Sequence, residues 1–240
     1  MEKIMYQTYL DIVAERVKMI KETQAQAICK AAELVGETIM KGHMVFTFGS
    51  GHSQLLAVEI HARAGGLYPI EAIIDPLKGK AEKLEGYGTI LVENAPYKAG
   101  DLLFVISNSG RNPEPIEVAM DARSKGITVV VLTSMEHTNQ VSSRHSSGKK
   151  LFEFGDVVID SKVTAGDASI SYPGLLPKAG ALSTVLGAAI LNAVIVEAIQ
   201  YLLEHDYEPP VLMSANLDGS EAFNEKVIQR YNHLPYLLDL

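Results

Sequence analysis

The stretch Asp101–Thr133 reads DLLFVISNSGRNPEPIEVAMDARSKGITVVVLT, and its pattern decides the fold. Leu102–Ile106 is an unbroken apolar run, as expected of a parallel strand covered on both faces. Next come six residues without an aliphatic side chain, Ser107-Asn108-Ser109-Gly110-Arg111-Asn112. Pro113 and Pro115 suit the first turn of a helix, where backbone amides lack intrahelical acceptors anyway. Ile116, Ala119, Met120 and Arg123 recur at helical spacing, and Gly126 marks the stop. Ile127–Leu132 is a second buried run, so strand, polar loop, helix and strand form a parallel βαβ unit.

Such a loop lies at the carboxyl end of a strand and the amino end of a helix, a place that favours anions. Ser107, Ser109 and Asn112 add neutral donors, and Gly110 lets a backbone approach closely. Plain helix capping is the competing account, but a cap needs one hydroxyl and here three polar side chains crowd six positions. A phosphate monoester fits the loop better. Upstream, Met44–Phe48 is a short apolar strand that runs into Gly49-Ser50-Gly51-His52-Ser53 and a helix predicted over 54–64. A dinucleotide fingerprint would need its third glycine where Gln54 stands, and no Gly-Lys-Ser/Thr follows, so neither nucleotide motif is present.

The S-N-S-G-R-N and G-S-G-H-S loops resemble those of the sugar isomerase (SIS) domain family over roughly residues 36–205. The stretch S-S-R-H-S-S-G-K-K-L at 142–151 is similar to stand-alone bacterial members of about this length. The resemblance implies a three-layer αβα sandwich around a mainly parallel sheet of about five strands, flavodoxin-like, with a helical N-terminal extension. It implies a phosphosugar held by both loops: Ser50 and Ser53, with Gly51 shaping the turn, and Ser107, Asn108, Ser109, Gly110 and Asn112. The family includes isomerases, an etherase, aminotransferase domains and sugar-sensing regulators, so the loops indicate a ligand class rather than a reaction. Leading helices in this family pack across a dimer interface, which implies a homodimer or higher homo-oligomer. The alternative is that residues 2–41, one or two helices by their periodicity, simply cover the chain's own sheet.

Isomerisation needs a base near carbon and a donor for the carbonyl oxygen, and no metal or organic cofactor. Family isomerases carry a Glu about ten residues beyond the first-loop serine, but position 63 here is Arg63. Glu59, the sole carboxylate of 54–64, is the substitute candidate, against a simple ion pair with Arg63. Glu85, in the polar stretch 75–100, is a second candidate by analogy with the etherase branch, against a plain surface charge. His52 is a candidate for opening the sugar ring, against a solvated loop residue. His205 and His233 occupy the region where family members place a His that reaches a neighbour's site. His137 and His145 have no companion Cys and make a weak zinc pattern.

The 240 residues are 47% hydrophobic, enough for one substantial domain: a helical extension 1–41, a core 42–205 and a tail 206–240. A net charge of −8 without a basic run argues against a nucleic-acid partner. Cys29 stands alone, which excludes an intrachain disulfide and suggests the cytosol. The apolar segment 179–203 carries Ser183, Thr184, Asn192, Glu197 and Gln200, so a buried helix is expected rather than a membrane span. The expected activity is that of a sugar-phosphate isomerase or a related amino-sugar-phosphate enzyme with a Glu base. The alternative is a phosphosugar sensor without catalysis.

Overall fold

The computed structural model describes residues 4–234. Strands β1 (Val45–Gly49), β2 (Ile70–Ile73), β3 (Leu102–Ile106), β4 (Thr128–Thr133) and β5 (Val157–Asp160) form one sheet. All its pairings are parallel, in the order β2-β1-β3-β4-β5. Every residue of β1, β2 and β3 is buried, because helices cover both faces. The pleat divides β3 between two cores. Leu102, Phe104 and Ile106 join one cluster, and Leu103 and Val105 join the other.

The first core receives α1 (Met5–Thr23), α2 (Ala25–Met40), α3 (Ser53–Glu59) and α7 (Ser183–Glu204). The second receives α4 (Tyr87–Val92), α5 (Pro113–Ser124) and a 3-10 turn at Leu151–Phe154. The expected three-layer αβα sandwich with helical N-terminal elements is the observed fold. Because α3 follows β1 onto one face and α5 follows β3 onto the other, the chain changes direction between adjacent strands β1 and β3. In a doubly wound sheet this divergence opens a crevice at the carboxyl edge.

Several local expectations shift. The leading helical run is two helices that break at Gln24, and Gly36 lies within α2 against Tyr201, where a Cβ would fall 2.4 Å from Cδ1. α2 buries Ala31, Ala32, Val35 and Ile39 in the core, whereas α1 buries Ile20 and leaves Tyr6 (65%) and Leu10 (57%) exposed. α3 stops at Glu59 because the following segment is held by the tail: Gly65 N–H donates to Leu212 O and Leu212 N–H to Gly66 O. The polar stretch 75–100 contains α4. The long loop 161–180 contains an antiparallel hairpin, β6 (Ala168–Ile170) and β7 (Ala179–Ala181), which Tyr9 of α1 contacts by donating to Ala181 O. Helix α6 (Met135–Gln140) follows β4, and α8 (Ser220–Gln229) closes the described chain.

α7 is long and apolar enough to cross a bilayer by length and composition. Its Leu186, Ile190, Leu191, Val194, Ile195, Ala198 and Leu202 are instead buried in the first core against α1, α2 and α3.

Candidate functional site

β1 and β3 both end at the carboxyl edge, and their loops line one cleft of about 400 Å³. The first loop supplies Ser50, Gly51, His52 and Ser53, and the second supplies Ser107, Asn108, Ser109 and Asn112. The first loop is tight. A Cβ on Gly49 would meet the Ser53 carbonyl at 2.4 Å, and Gly51 has φ +56°.

The second loop is fastened by its carbonyls. Thr133 Oγ1 donates to Ser107 O, Ser134 N–H to Asn108 O and Thr138 Oγ1 to Ser109 O. Leu151 N–H donates to Gly110 O, and Arg144 N–H to Arg111 O. The carbonyl edge of the loop is therefore engaged by protein donors. Asn112 is the N-cap of α5 but does not cap it with its side chain; its Oδ1 accepts from Arg144 Nη1 at 2.7 Å. Helix capping thus fails to account for the polar loop. Among the described residues, the hydroxyls of Ser53 and Ser109 have no protein partner, and both line the cleft.

The remaining walls come from elements far apart in sequence. Lys78, Gly79 and Glu82 enter from the segment after β2, His137 from α6, and Gly166, Asp167 and Ser183 from the hairpin and the start of α7. Asp75 organises the first of these: its carboxylate accepts from Leu77 N–H (2.8 Å), Gly79 N–H and the Tyr87 hydroxyl (2.6 Å). His137 Nδ1 is buried without a partner, and burial, reinforced by the Arg111 guanidinium, pushes the imidazole down so that it is neutral near pH 7.

Asp167 joins the hairpin to α7. Its carboxylate accepts from Leu182 N–H (3.0 Å), Ser183 N–H (2.7 Å) and Ser183 Oγ (2.8 Å), and its φ is +70°. It therefore caps α7 from outside the helix. Asp167→Ala is expected to lose the cap and add left-handed strain, lowering stability by about 2–3 kcal/mol. Asp167→Asn, which tolerates that conformation, should lose less than half as much. Urea unfolding of both variants checks this; equal losses would remove the backbone contribution.

The candidate bases lie elsewhere. Glu59 is paired with Arg63 on the outer side of α3 and does not line the cleft. Glu85 accepts from the Ser146 hydroxyl and from Ser146 N–H (3.1 Å), and the Ser146 hydroxyl is the main influence holding its carboxyl below the ordinary range. It too is outside the cleft, 3.7 Å from His145 Nε2. His52 lines the cleft and is exposed. His205 Nδ1 donates to Tyr201 O on the far end of α7, and His233 is exposed beyond α8.

Two carboxyls that nothing in their own segments marks out stand at Ser50 instead. Ser50 Oγ donates to Glu114 Oε2 at 2.5 Å, and Glu82 Oε2 stands 3.5 Å from the same hydroxyl. Glu114 is completely buried, and burial, with Asp75, Glu82 and Glu117 adding to it against the Ser50 hydrogen bond, pushes its carboxyl up to about 7. A Glu in the first turn of a helix ordinarily reads as a solvated partner of the dipole, which hid this one. Among the described residues, no group of three or more His, Cys, Asp or Glu is arranged to hold a metal ion.

Comparison with known proteins gives a consistent result. The sequence model of the SIS domain matches residues 8–134. A UPF0309 protein of Listeria monocytogenes is 41% identical over 95% of this chain and 99% of its own. Another, from Shouchella clausii, is 39% identical over 94% and 96%. Among solved structures, a phosphoheptose isomerase from Francisella tularensis matches with a TM-score of 0.58 over 81% of this chain and 96% of that one, at 16% identity. The Vibrio vulnificus NanR protein complexed with ManNAc-6P matches at 0.56 over 95% and 70%, at 15% identity. These structural matches are likenesses of fold.

Proposed function

We propose, starting from the fact that this chain belongs to the SIS domain family, that its cleft binds a sugar phosphate and that the chain is a sugar-phosphate isomerase or a related amino-sugar-phosphate enzyme. The observation that carries this reading is the convergence of two serine-rich loops on one crevice, with the Ser53 and Ser109 hydroxyls unpartnered there. Ser53, Ser107, Ser109 and the amino end of α5 form the phosphate side. Glu82 is the cleft-wall carboxylate beside Ser50 and takes the place of the Glu base, Asp167 being engaged at the start of α7; His52 and the neutral His137 move a proton to or from a sugar oxygen. The neighbours named for a phosphoheptose isomerase and for a ManNAc-6P complex support the ligand class.

The test is a thermal-shift panel of pentose, hexose and heptose phosphates with their unphosphorylated sugars. A phosphorylated member should raise the melting temperature and its parent sugar should not. Ser53→Ala and Ser109→Ala should each weaken the hit about fivefold to tenfold, the value of one neutral hydrogen bond. No shift with any phosphate would sink the reading.

A second reading, a phosphosugar sensor, is favoured by the removal of Glu59 and Glu85 from the cleft into surface contacts. Glu82→Gln separates the two: an enzyme keeps affinity for the hit and loses turnover, and a sensor has none to lose. The reading also includes a homodimer, with the exposed apolar face of α1 covered by a second copy, and a cytosolic location. Sedimentation velocity should give a dimer mass.

A further inference from the structure

Glu114 lies fully buried behind the cleft wall. It is 0% exposed, Oε1 is buried without a partner, and Oε2 lies 2.5 Å from Ser50 Oγ. An ionised carboxylate in that position would bury half its charge on an oxygen with nothing to receive it. A neutral acid has no such deficit.

Its surroundings push the same way. Asp75 and Glu82 face it from the segment after β2, Tyr87 from α4, and Glu117 from its own helix. Asp75 and Tyr87 are bonded to each other. Glu117 is occupied by the N–H groups of Gly86 and Thr89, with His145 Nε2 3.7 Å away. Lys78 lines the cleft and forms no ion pair among the described residues. Among the described residues, no Lys, Arg or His forms an ion pair with Glu114.

Ser50 has one proton and two carboxyl neighbours, Glu114 at 2.5 Å and Glu82 at 3.5 Å. If Glu114 is ionised, it holds the Ser50 proton, and an arriving anion meets a serine lone pair with negative charge behind it. If Glu114 is neutral, it can donate to Ser50 Oγ, and the serine proton turns outward. We infer that Glu114 is a positioning residue that acts as a buried neutral acid, presenting Ser50 as a hydrogen-bond donor to an anionic ligand. The inference rests on the phosphosugar reading and adds that ligand binding is coupled to one proton on Glu114. Glu114 takes up this proton from solvent and keeps it in the complex; nothing is transferred to the ligand.

The test compares wild type with Glu114→Gln, a permanently neutral stand-in for the acid. Dissociation constants are measured by calorimetry for fructose 6-phosphate, glucosamine 6-phosphate and inorganic phosphate at pH 6.5, 7.5 and 8.5. Titration of the ligand and of His137 is common to both proteins, so the ratio of their constants isolates Glu114. The ratio should be near one at pH 6.5. By pH 8.5 wild type should be weaker by roughly tenfold or more, as one linked proton requires. Calorimetry of wild type at pH 7.5 in two buffers of different ionisation enthalpy should also show proton uptake on binding, a readout that needs no variant. Parallel pH profiles, uniformly weaker binding by Glu114→Gln, or binding without proton uptake would each overturn the role while leaving the phosphosugar reading intact. If neither protein binds any of the three probes at any pH, both fall together.

Discussion

Gly79→Ala is expected to lose the sugar-phosphate thermal shift altogether, together with about 2–4 kcal/mol of stability, from overpacking against backbone and left-handed strain combined. Gly79 has φ +79°, and a Cβ there would lie 2.7 Å from Gly51 Cα and 2.8 Å from Gly51 N. Both obstructing atoms are main chain, so no rotamer change relieves the clash. The segment after β2 therefore meets the first ligand loop backbone to backbone, and this contact sets Glu82 and Ser50 in the same cleft wall. An added methyl must drive the two loops apart and carry those side chains with them. Gly51→Ala is the control. It has φ +56°, but its Cβ would stand 3.9 Å from Gly79 Cα, an ordinary contact, so only backbone strain of about 1–2 kcal/mol remains. Urea denaturation and the ligand panel measure both. If Gly79→Ala is no worse than Gly51→Ala, close approach of the loops is not what builds the site.

Glu114→Gln is expected to stabilise the unliganded protein above neutral pH by about 3 kcal/mol, since each pH unit between the unfolded and folded pKa is worth 1.36 kcal/mol. The direction follows from linkage. The Glu114 carboxyl is raised from 4.5 to about 7 on folding. Below pH 4.5 both folded and unfolded chains hold the proton and the group has no pH-dependent effect. Between 4.5 and 7 the unfolded chain ionises first, so wild-type stability falls as pH rises. Above 7 both forms are ionised and the loss is complete. Gln has no proton to lose, so the advantage of the variant should grow between pH 5 and 7.5 and then level off. His137 titrates in both proteins and cancels in the difference. Urea unfolding at pH 5, 6, 7 and 8 gives the curve, and a stability difference independent of pH would mean that Glu114 is already ionised when folded. A residue that weakens the resting fold in this way is expected where function opposes stability.

Much of this architecture was readable along the chain. Leu102–Ile106, unbroken, and Ile127–Leu132, interrupted by Thr128 alone, announce buried parallel strands by apolar composition, and 107–112 announces a ligand loop because six consecutive residues offer donors and no aliphatic cover. These are local signals. The break at Gln24 was missed because helical periodicity continues through it on both sides, and the end of α3 was missed because its cause is the tail at 210–212, far along the chain. Asp167 was legible only as part of a long loop beside the functional edge; its grip on Ser183 depends on the fold of the hairpin.

The acid–base groups divide on the same line. Glu59 stands out in sequence as a lone carboxylate among aliphatic neighbours, but the rotation of a short helix turns it outward to Arg63. Glu82 and Glu114 look unremarked in their own segments, lying 32 and 64 residues from Ser50. The strand order β2-β1-β3 brings the segments after all three strands to one edge, and only that order places both carboxyls at a single hydroxyl. The sequence by itself determined the repeating strand–loop–helix units and the chemistry of the two loops, because hydrophobic period and loop composition act over a few residues. Tertiary structure alone decided which acids meet the cleft and in what protonation state, because burial and the company of other charges are properties of packed neighbours.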